Sequence, residues 1–395
     1  MPKQDYAYYK ALLKGRQMPL AYVDLDLFDQ NVKSIVLKAG SKKIRIATKS
    51  VRVPELIKRI LDSSDVYQGL MCYSPREMVY WSQQGFDDLL MGYPIWNEAD
   101  ILPICEEVKK GKQLVLMIDS VDHIKHLQSI GEKQGLSIPV CLDLDMSSDF
   151  PGLHFGVWRS SIRKASDAKP VIDAILKSPN VKLDGLMGYE AQIAGLGDNV
   201  KGQGPKNAVV KILKSRSVKE IAKRRAEVVK MIADAGIELR FVNGGGTGSL
   251  DTTTTEEAVT EVTVGSGFFA PALFDHYEKF KYLPAAAYAI EVVRSPKPGT
   301  YTCLGGGFIA SGEIGKLKEP VILFPKDGKL TDQEGVGEVQ TPVLYDGKLE
   351  LGDPVILRHS KAGELCEHFT SVLLIQDGKV VGEAKTNRGL GYSFL

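Results

Sequence analysis

Lys49 closes a stretch, "IRIATK" (44–49), that alternates as a β-strand does. Ile44, Ile46 and Thr48 fall on one side; Arg45, Ala47 and Lys49 fall on the other. A lysine held at a strand end can form a Schiff base with a carbonyl, because burial disfavours the ammonium and frees the amine. An exposed or ion-paired lysine is the ordinary alternative. Two glycine-rich stretches offer a different chemistry. In "RFVNGGGTGSL", Gly244, Gly245 and Gly246 lead into Thr247, Gly248 and Ser249; in "EVTVGSGFF", Gly265, Ser266 and Gly267 end a strand-like run. Backbone N–H groups brought close by glycine, with hydroxyls beside them, cradle phosphate. Neither stretch has the Walker lysine or the full dinucleotide fingerprint. Taken alone, each reads equally well as a tight turn.

These residues need elements to hold them. Strand-like segments recur at 44–49, 69–74, 88–94, 114–120, 140–146, 183–190, 240–246 and 261–267. Between them lie helix-like stretches such as "VPELIKRILDSS", "SPREMVYWSQQG", "DHIKHLQSIGEKQG" and "KEIAKRRAEVVKMIADAG". Such alternation argues for a parallel sheet, and eight units over roughly 240 residues fit a (β/α)8 TIM-type barrel. A doubly wound open sheet is the alternative. In a barrel, Lys49 points inward at the C-terminal mouth. The glycine stretches then follow strands seven and eight, where barrels frequently bind phosphate. After "GYEAQIAGLGDNVKGQGPKNAV" the next helix is expected only near 218, leaving a long loop on that same face.

The rhythm breaks near 285. Short β-type runs follow, with "DGK" turn signals at 327, 346 and 377. The expected organisation is an N-terminal segment 1–30 joining a β domain, a barrel over 31–284 and a C-terminal β domain over 285–395. The 395 residues carry a net charge of +1, which supports neither nucleic-acid nor anionic-membrane binding. No apolar run is long enough to span a bilayer and no signal peptide is evident. Five scattered cysteines form no CxxC pair, so a cytoplasmic location is expected.

A phosphate site and a mouth lysine in one barrel point to pyridoxal 5'-phosphate. The chain resembles the fold-type III pyridoxal-phosphate enzymes, in the D-threonine aldolase and D-serine dehydratase branch related to alanine racemase. "PLAYVDLDLFDQNV" is similar to the family's opening segment, with its later asparagine at Asn31. "RIATK" is similar to R-P-H-x-K, with Lys49 in the cofactor position and Ile46-Ala47 replacing Pro-His. "SPREMVYWSQQGFDDLLMGYP" resembles the helix and strand around "DDILLAYP". "LHFGVWRSS" resembles the R-x-G-V turn, with His154 in place of the arginine and Gly156-Val157 retained. "GLMGYEAQ" resembles Y-x-G-H, with Tyr189 matching and Gln192 where the histidine stands. "GGGTG" and "GSGFF" resemble the two phosphate loops, and the likeness runs over roughly residues 18–275.

The resemblance implies that Lys49 carries the cofactor and, once freed, acts as a base on one face of an amino acid. It places Tyr189 and His154 near the cofactor ring. It implies a small amino-acid substrate, contacted by Gln192, His359 and Glu338. The branch also uses a divalent metal held by His-x-Cys or His-x-Asp. The corresponding "RHSKAGELCEHF" holds His359, Glu364, Cys366 and His368 in a different order; on a strand, Cys366 and His368 would share a face. The alternative is that His359 and Glu364 touch substrate or a partner subunit. Fold-type III enzymes usually form homodimers. Glu338 and Gln340, in "GVGEVQTP", are further polar candidates. The expected reaction is cleavage or deamination of a small, D-configured β-hydroxy amino acid. A racemase is the alternative; it needs an opposing tyrosine, for which Tyr301, Tyr345 and Tyr392 are available. A noncatalytic pyridoxal-phosphate-binding protein and a sugar-phosphate barrel enzyme remain open.

Overall fold

In the computed structural model, residues 4–312 and 315–394 are described. Eight parallel strands close into a barrel: Lys43–Ala47, Tyr67–Cys72, Leu89–Pro94, Leu114–Ile118, Ile138–Asp143, Val181–Gly188, Phe241–Gly244 and Glu261–Val264. The eighth strand closes on the first, in register from Glu261↔Lys43 to Val264↔Ile46. They are referred to below as the first to eighth barrel strands.

The helices between them begin where the sequence supplies caps. Ser74 heads Pro75–Gln83, accepting from the Glu77 backbone N–H, and the Glu77 carboxylate accepts from the Tyr73 N–H. The pair resembles a capping box, except that Glu77 takes the N–H of the residue before the cap. Ser120 caps Val121–Gln134 in the same way. The barrel interior is filled by Met71, Leu90, Val115, Met117, Cys141, Met187 and Phe241. Gly185 makes room for Phe241, because a Cβ there would lie 2.2 Å from the ring. Arg45 is also interior and fully buried. Its guanidinium lies 5.1 Å from the Phe241 ring centroid and bonds Glu261 at 2.7 and 3.0 Å. It also bonds the Asp88 side chain at 3.1 Å. A buried arginine is tolerable only with such partners.

The helix expected near 218 starts earlier, running Gly204–Asp234. Its buried positions are Val210, Lys214, Ser217, Ile221, Arg225, Val228 and Ile232. Three of these seven are polar, which hides the apolar period in the sequence. Lys214 is satisfied by Asp198 at 3.0 Å and Arg225 by Glu190 at 3.1 Å.

Among the described residues the second sheet has nine strands. Leu20–Asp24 lies between Ala286–Lys297, antiparallel, and Ser371–Gln376, parallel. Ser371–Gln376 turns back into Lys379–Lys385 through Asp377 and Gly378, at φ 50° and 74°. Positive φ at both positions suits the right-handed strand twist, and it is the conformation Asp-Gly favours. Compact packing divides the chain differently from a cut at 284. One unit takes the chain through Ile35, then Ser50–Arg59 and Ser266–Ser393; the other takes Val36–Lys49 and Ile60–Gly265. Residues 266–284 go with the sheet because Asn31 donates to the Phe268 and Leu283 carbonyls and accepts from the Leu283 N–H. Arg358 likewise holds the Ala270 and Pro271 carbonyls. No helix among the described residues is long and apolar enough to cross a membrane.

Candidate active site

The first barrel strand stops at Ala47, and Lys49 stands in the 3-10 turn Thr48–Ser50 that follows. Thr48 pins this turn to the second strand through a 3.0 Å bond to the Met71 carbonyl. Lys49 Nζ donates to Tyr93 Oη at 3.0 Å and lies 5.6 Å from the ring centroid. Tyr93 ends the third strand. Beside it, the Arg159 guanidinium lies 5.2 Å from the Tyr93 centroid and 5.8 Å from the Tyr189 centroid. Arg159 Nη2 donates to the Gly92 carbonyl at 2.6 Å, and Nε is 2.9 Å from the Asp143 carboxylate.

These groups tune one another. Burial raises the Tyr93 phenol, but Lys49 and Arg159 outweigh it and hold the phenol below its ordinary value. Burial pushes Tyr189 up to about 12. Burial also pushes Asp143 up to about 7, against the pull of Arg159.

Tyr189 reaches the loop after the seventh strand. A Cβ on Gly246 would lie 3.0 Å from Tyr189 Cε2 and 3.0 Å from the Ala194 methyl. The loop is fastened from beneath by Glu190, which accepts from the Gly245 N–H at 3.2 Å and from Ser249 Oγ at 2.9 Å. Thr253 also bonds Glu190, and Arg225 neutralises it. Thr247 opens a 3-10 turn at the loop. The seventh and eighth strands pair directly, so the two glycine loops leave adjacent strand ends. Gly265 follows the eighth strand, and Ser266 and Gly267 begin the short helix Ser266–Phe269. Ser266 Oγ is 3.4 Å from Ser50 Oγ. A phosphate-bearing cofactor fits these residues: the Gly246 cradle is one that a side chain would fill, and the Lys49 amine and the Arg159 guanidinium both meet Tyr93, at the end of the third strand of the same barrel.

Lys49, Tyr189 and Gly245–Thr247 thus belong to one barrel mouth, linked through Tyr93 and Arg159. The sequence pattern does not single out Tyr93, Arg159, Asp143 or Glu190. Tyr93 lies in the quoted "GYP", and Arg159 is three residues past Gly156.

Other expectations need correction. His154 lies in a hairpin, Ser148–Phe150 with Leu153–Phe155, that interrupts the turn. Its ring stacks on Trp158 at 3.7 Å and Nδ1 is 2.8 Å from Asp149 Oδ1. The hairpin shifts the frame, and Arg159 is the residue that reaches Tyr93 and Tyr189. The Gln192 amide nitrogen donates to the Met146 carbonyl and Ser217 Oγ and ties these segments together. Tyr301 Oη donates to the Gly347 carbonyl and accepts from the Leu349 N–H, which leaves it poorly suited to proton transfer.

The expected metal donors do not assemble. Cys366 and His368 lie in a helical turn, Leu365–His368, not on a strand, so a spacing of two puts them on different sides. The Cys366 thiol bonds the Val51 carbonyl and burial pushes it up to about 12. His368 stacks on Phe308 at 4.4 Å. Glu364 is taken by Ser311 and Lys361. His359 is buried against Phe269, and burial and Arg358 hold it down to about 3. Two residues after His359, where His-x-Cys has its thiol, stands Lys361. Among the described residues no three His, Cys, Asp or Glu side chains gather as a metal requires. Glu338 is exposed, beside the close backbone approach at Gly307.

The model of the alanine racemase N-terminal domain matches residues 23–270. A 3-hydroxy-D-aspartate aldolase of Paracoccus denitrificans (strain Pd 1222) is 20% identical over 258 residues, covering 65% of this chain. The match spans 61% of that relative's own length. Among solved structures, a D-threonine aldolase from Filomicrobium marinum superposes with a TM-score of 0.78 at 16% identity, covering 95% of this chain and 96% of that one. D-threo-3-hydroxyaspartate dehydratase from Delftia sp. HT23 gives a TM-score of 0.72 at 16% identity, with 97% and 99% coverage. At these identities the structural likeness establishes the fold.

Proposed function

Because the chain belongs to the alanine racemase N-terminal domain family of fold-type III pyridoxal-phosphate enzymes, we propose that it is a pyridoxal-phosphate-dependent lyase acting on a small D-configured β-hydroxy amino acid. The observation that carries the proposal is Lys49 in the turn after the first strand, bonded to Tyr93 in the barrel that also holds the Gly246–Tyr189 cradle. The names of the relatives, two aldolases and a dehydratase of β-hydroxy D-amino acids, support the reaction class. Lys49 would hold the cofactor's carbonyl carbon. Gly245, Gly246, Thr247, Gly265, Ser266 and Gly267 would hold its phosphate. Pyridoxal phosphate, when bound, supplies an electron sink for the bond broken at the substrate's α-carbon. Tyr189 would flank the ligand, and Arg159 offers a fixed cation to an anionic oxygen. Lys49, once released, holds or takes a proton at Nζ on one side of that carbon. No step is assigned to a metal, since His359, Cys366 and His368 do not gather into a donor set among the described residues.

Absorbance spectroscopy tests the proposal. The protein supplied with pyridoxal phosphate should show a Schiff-base band that Lys49→Ala abolishes. Incubation with D-threonine and D-3-hydroxyaspartate should then release glycine, marking an aldolase, or a keto acid and ammonia, marking a dehydratase. Loss of optical activity without either product would replace the lyase with a racemase. A band that survives Lys49→Ala would remove the central assignment.

A further inference from the structure

The Lys49 ammonium is bonded to a phenol. Tyr93 stands between Gly92 and Pro94 at the end of the third barrel strand, and the 3.0 Å bond to Lys49 skips the intervening second strand. Arg159, Tyr189 and, behind Arg159, Asp143 stand beside the pair. Arg159 faces both phenols, while the Asp143 carboxylate is spent on Arg159 at 2.9 Å. The Tyr93 phenol therefore meets two cations, Lys49 at its oxygen and Arg159 over its ring.

The two phenols beside Arg159 are prepared for opposite roles. Tyr93 is 40% exposed; desolvation of its covered part favours the neutral form, yet Lys49 and Arg159 prevail and lower it. Tyr189 is raised to about 12 by burial. Environments that push paired groups apart in this way assign one to release a proton and the other to retain it.

We propose that Tyr93 is the acid–base partner of Lys49: its phenolate oxygen takes a proton from the Lys49 ammonium, leaving an amine able to attack a carbonyl carbon, and its phenol returns the proton when Nζ is released. One proton shuttles between Nζ and Oη. The C–N bond forms as water leaves, and the reverse consumes water. The inference rests on the reading of Lys49 as the cofactor lysine, and it names the group that readies it.

Two measurements decide it. In the cofactor-free protein, phenolate absorbance is titrated for wild type, Tyr93→Phe and Lys49→Met. The difference between wild type and Tyr93→Phe isolates one tyrosine. It should ionise below the ordinary value of about 10, and its ionisation should rise by about one pH unit in Lys49→Met. The second measurement is the rate at which the Schiff-base band appears after pyridoxal phosphate is added. Tyr93→Phe should be about tenfold slower or worse near neutral pH, with the deficit closing in alkali as hydroxide removes the proton instead. Tyr93 ionisation indifferent to Lys49→Met, or a Tyr93→Phe protein that loads as fast as wild type at every pH, would overturn the proposal. If wild type takes up no cofactor, the reading of Lys49 falls; the phenolate titration still decides whether Lys49 and Tyr93 share a proton.

Discussion

At the scale of single residues, the site works by contrast between like groups. Tyr93 and Tyr189 differ because Lys49 and Arg159 prevail at one and burial prevails at the other. Gly246→Ala tests the cradle. The backbone tolerates it, at φ −152°, but the methyl would crowd Tyr189 and Ala194. Cofactor affinity measured by fluorescence quenching should fall roughly tenfold, with about 1 kcal/mol lost in stability. Asp143 gives a pH test. Its carboxyl is raised from 3.8 to about 7, so the folded protein holds a proton that the unfolded chain releases at lower pH. The stability from this group is full below about pH 4 and is lost as pH rises to about 7, on the order of 4 kcal/mol. In melting experiments, wild type should lose stability relative to Asp143→Asn across that window; parallel curves would refute the assignment.

At the scale of elements, the barrel closes around a charge. Arg45 on the first strand meets Glu261 on the eighth, both almost fully buried. Arg45→Ala strands the Glu261 carboxylate and should cost about 3–5 kcal/mol in denaturant unfolding. Arg45→Met with Glu261→Met should recover most of the loss, because burying two apolar groups avoids the unpaired charge. If the double variant is as unstable as the single one, the charge pair is not the reason for the cost. The same element shows what a strand pattern conveys. Alternation placed Arg45 and Lys49 on one side, and Arg45 is interior. Lys49 is not on the strand at all; its place is set by the 3-10 turn that Thr48 ties to Met71. The helix Gly204–Asp234 illustrates the opposite case: polar partners such as Asp198 lie far enough away in sequence that Lys214 reads as surface.

At the scale of the molecule, the order of the chain is not the order of its sheet. Leu20–Asp24 is paired on one side with Ala286–Lys297 and on the other with Ser371–Gln376. Removing residues 1–24 would leave both neighbours with unpaired edges, which invite aggregation. Such a truncation should be recovered mainly as insoluble protein, whereas trimming only to Asp5, the N-cap of Tyr6–Leu13, should be tolerated. Solubility after expression and near-ultraviolet circular dichroism check both.

What the sequence determined by itself was local and periodic. The βα rhythm, the Asp377-Gly378 turn, the Ser74 cap and the glycine runs all depend on neighbours within a few residues. Their physics is therefore written in short stretches. The family motifs extended this to Lys49, Tyr189 and the two loops. Tertiary structure decided the rest, because it depended on which distant side chains share a buried space. Arg159, past the hairpin that holds His154, is the residue that meets Tyr93 and Tyr189. Cys366 and His368 part because their segment coils rather than extends. Tyr93 meets Lys49 because two long side chains at the same end of the barrel reach across the second strand to one another.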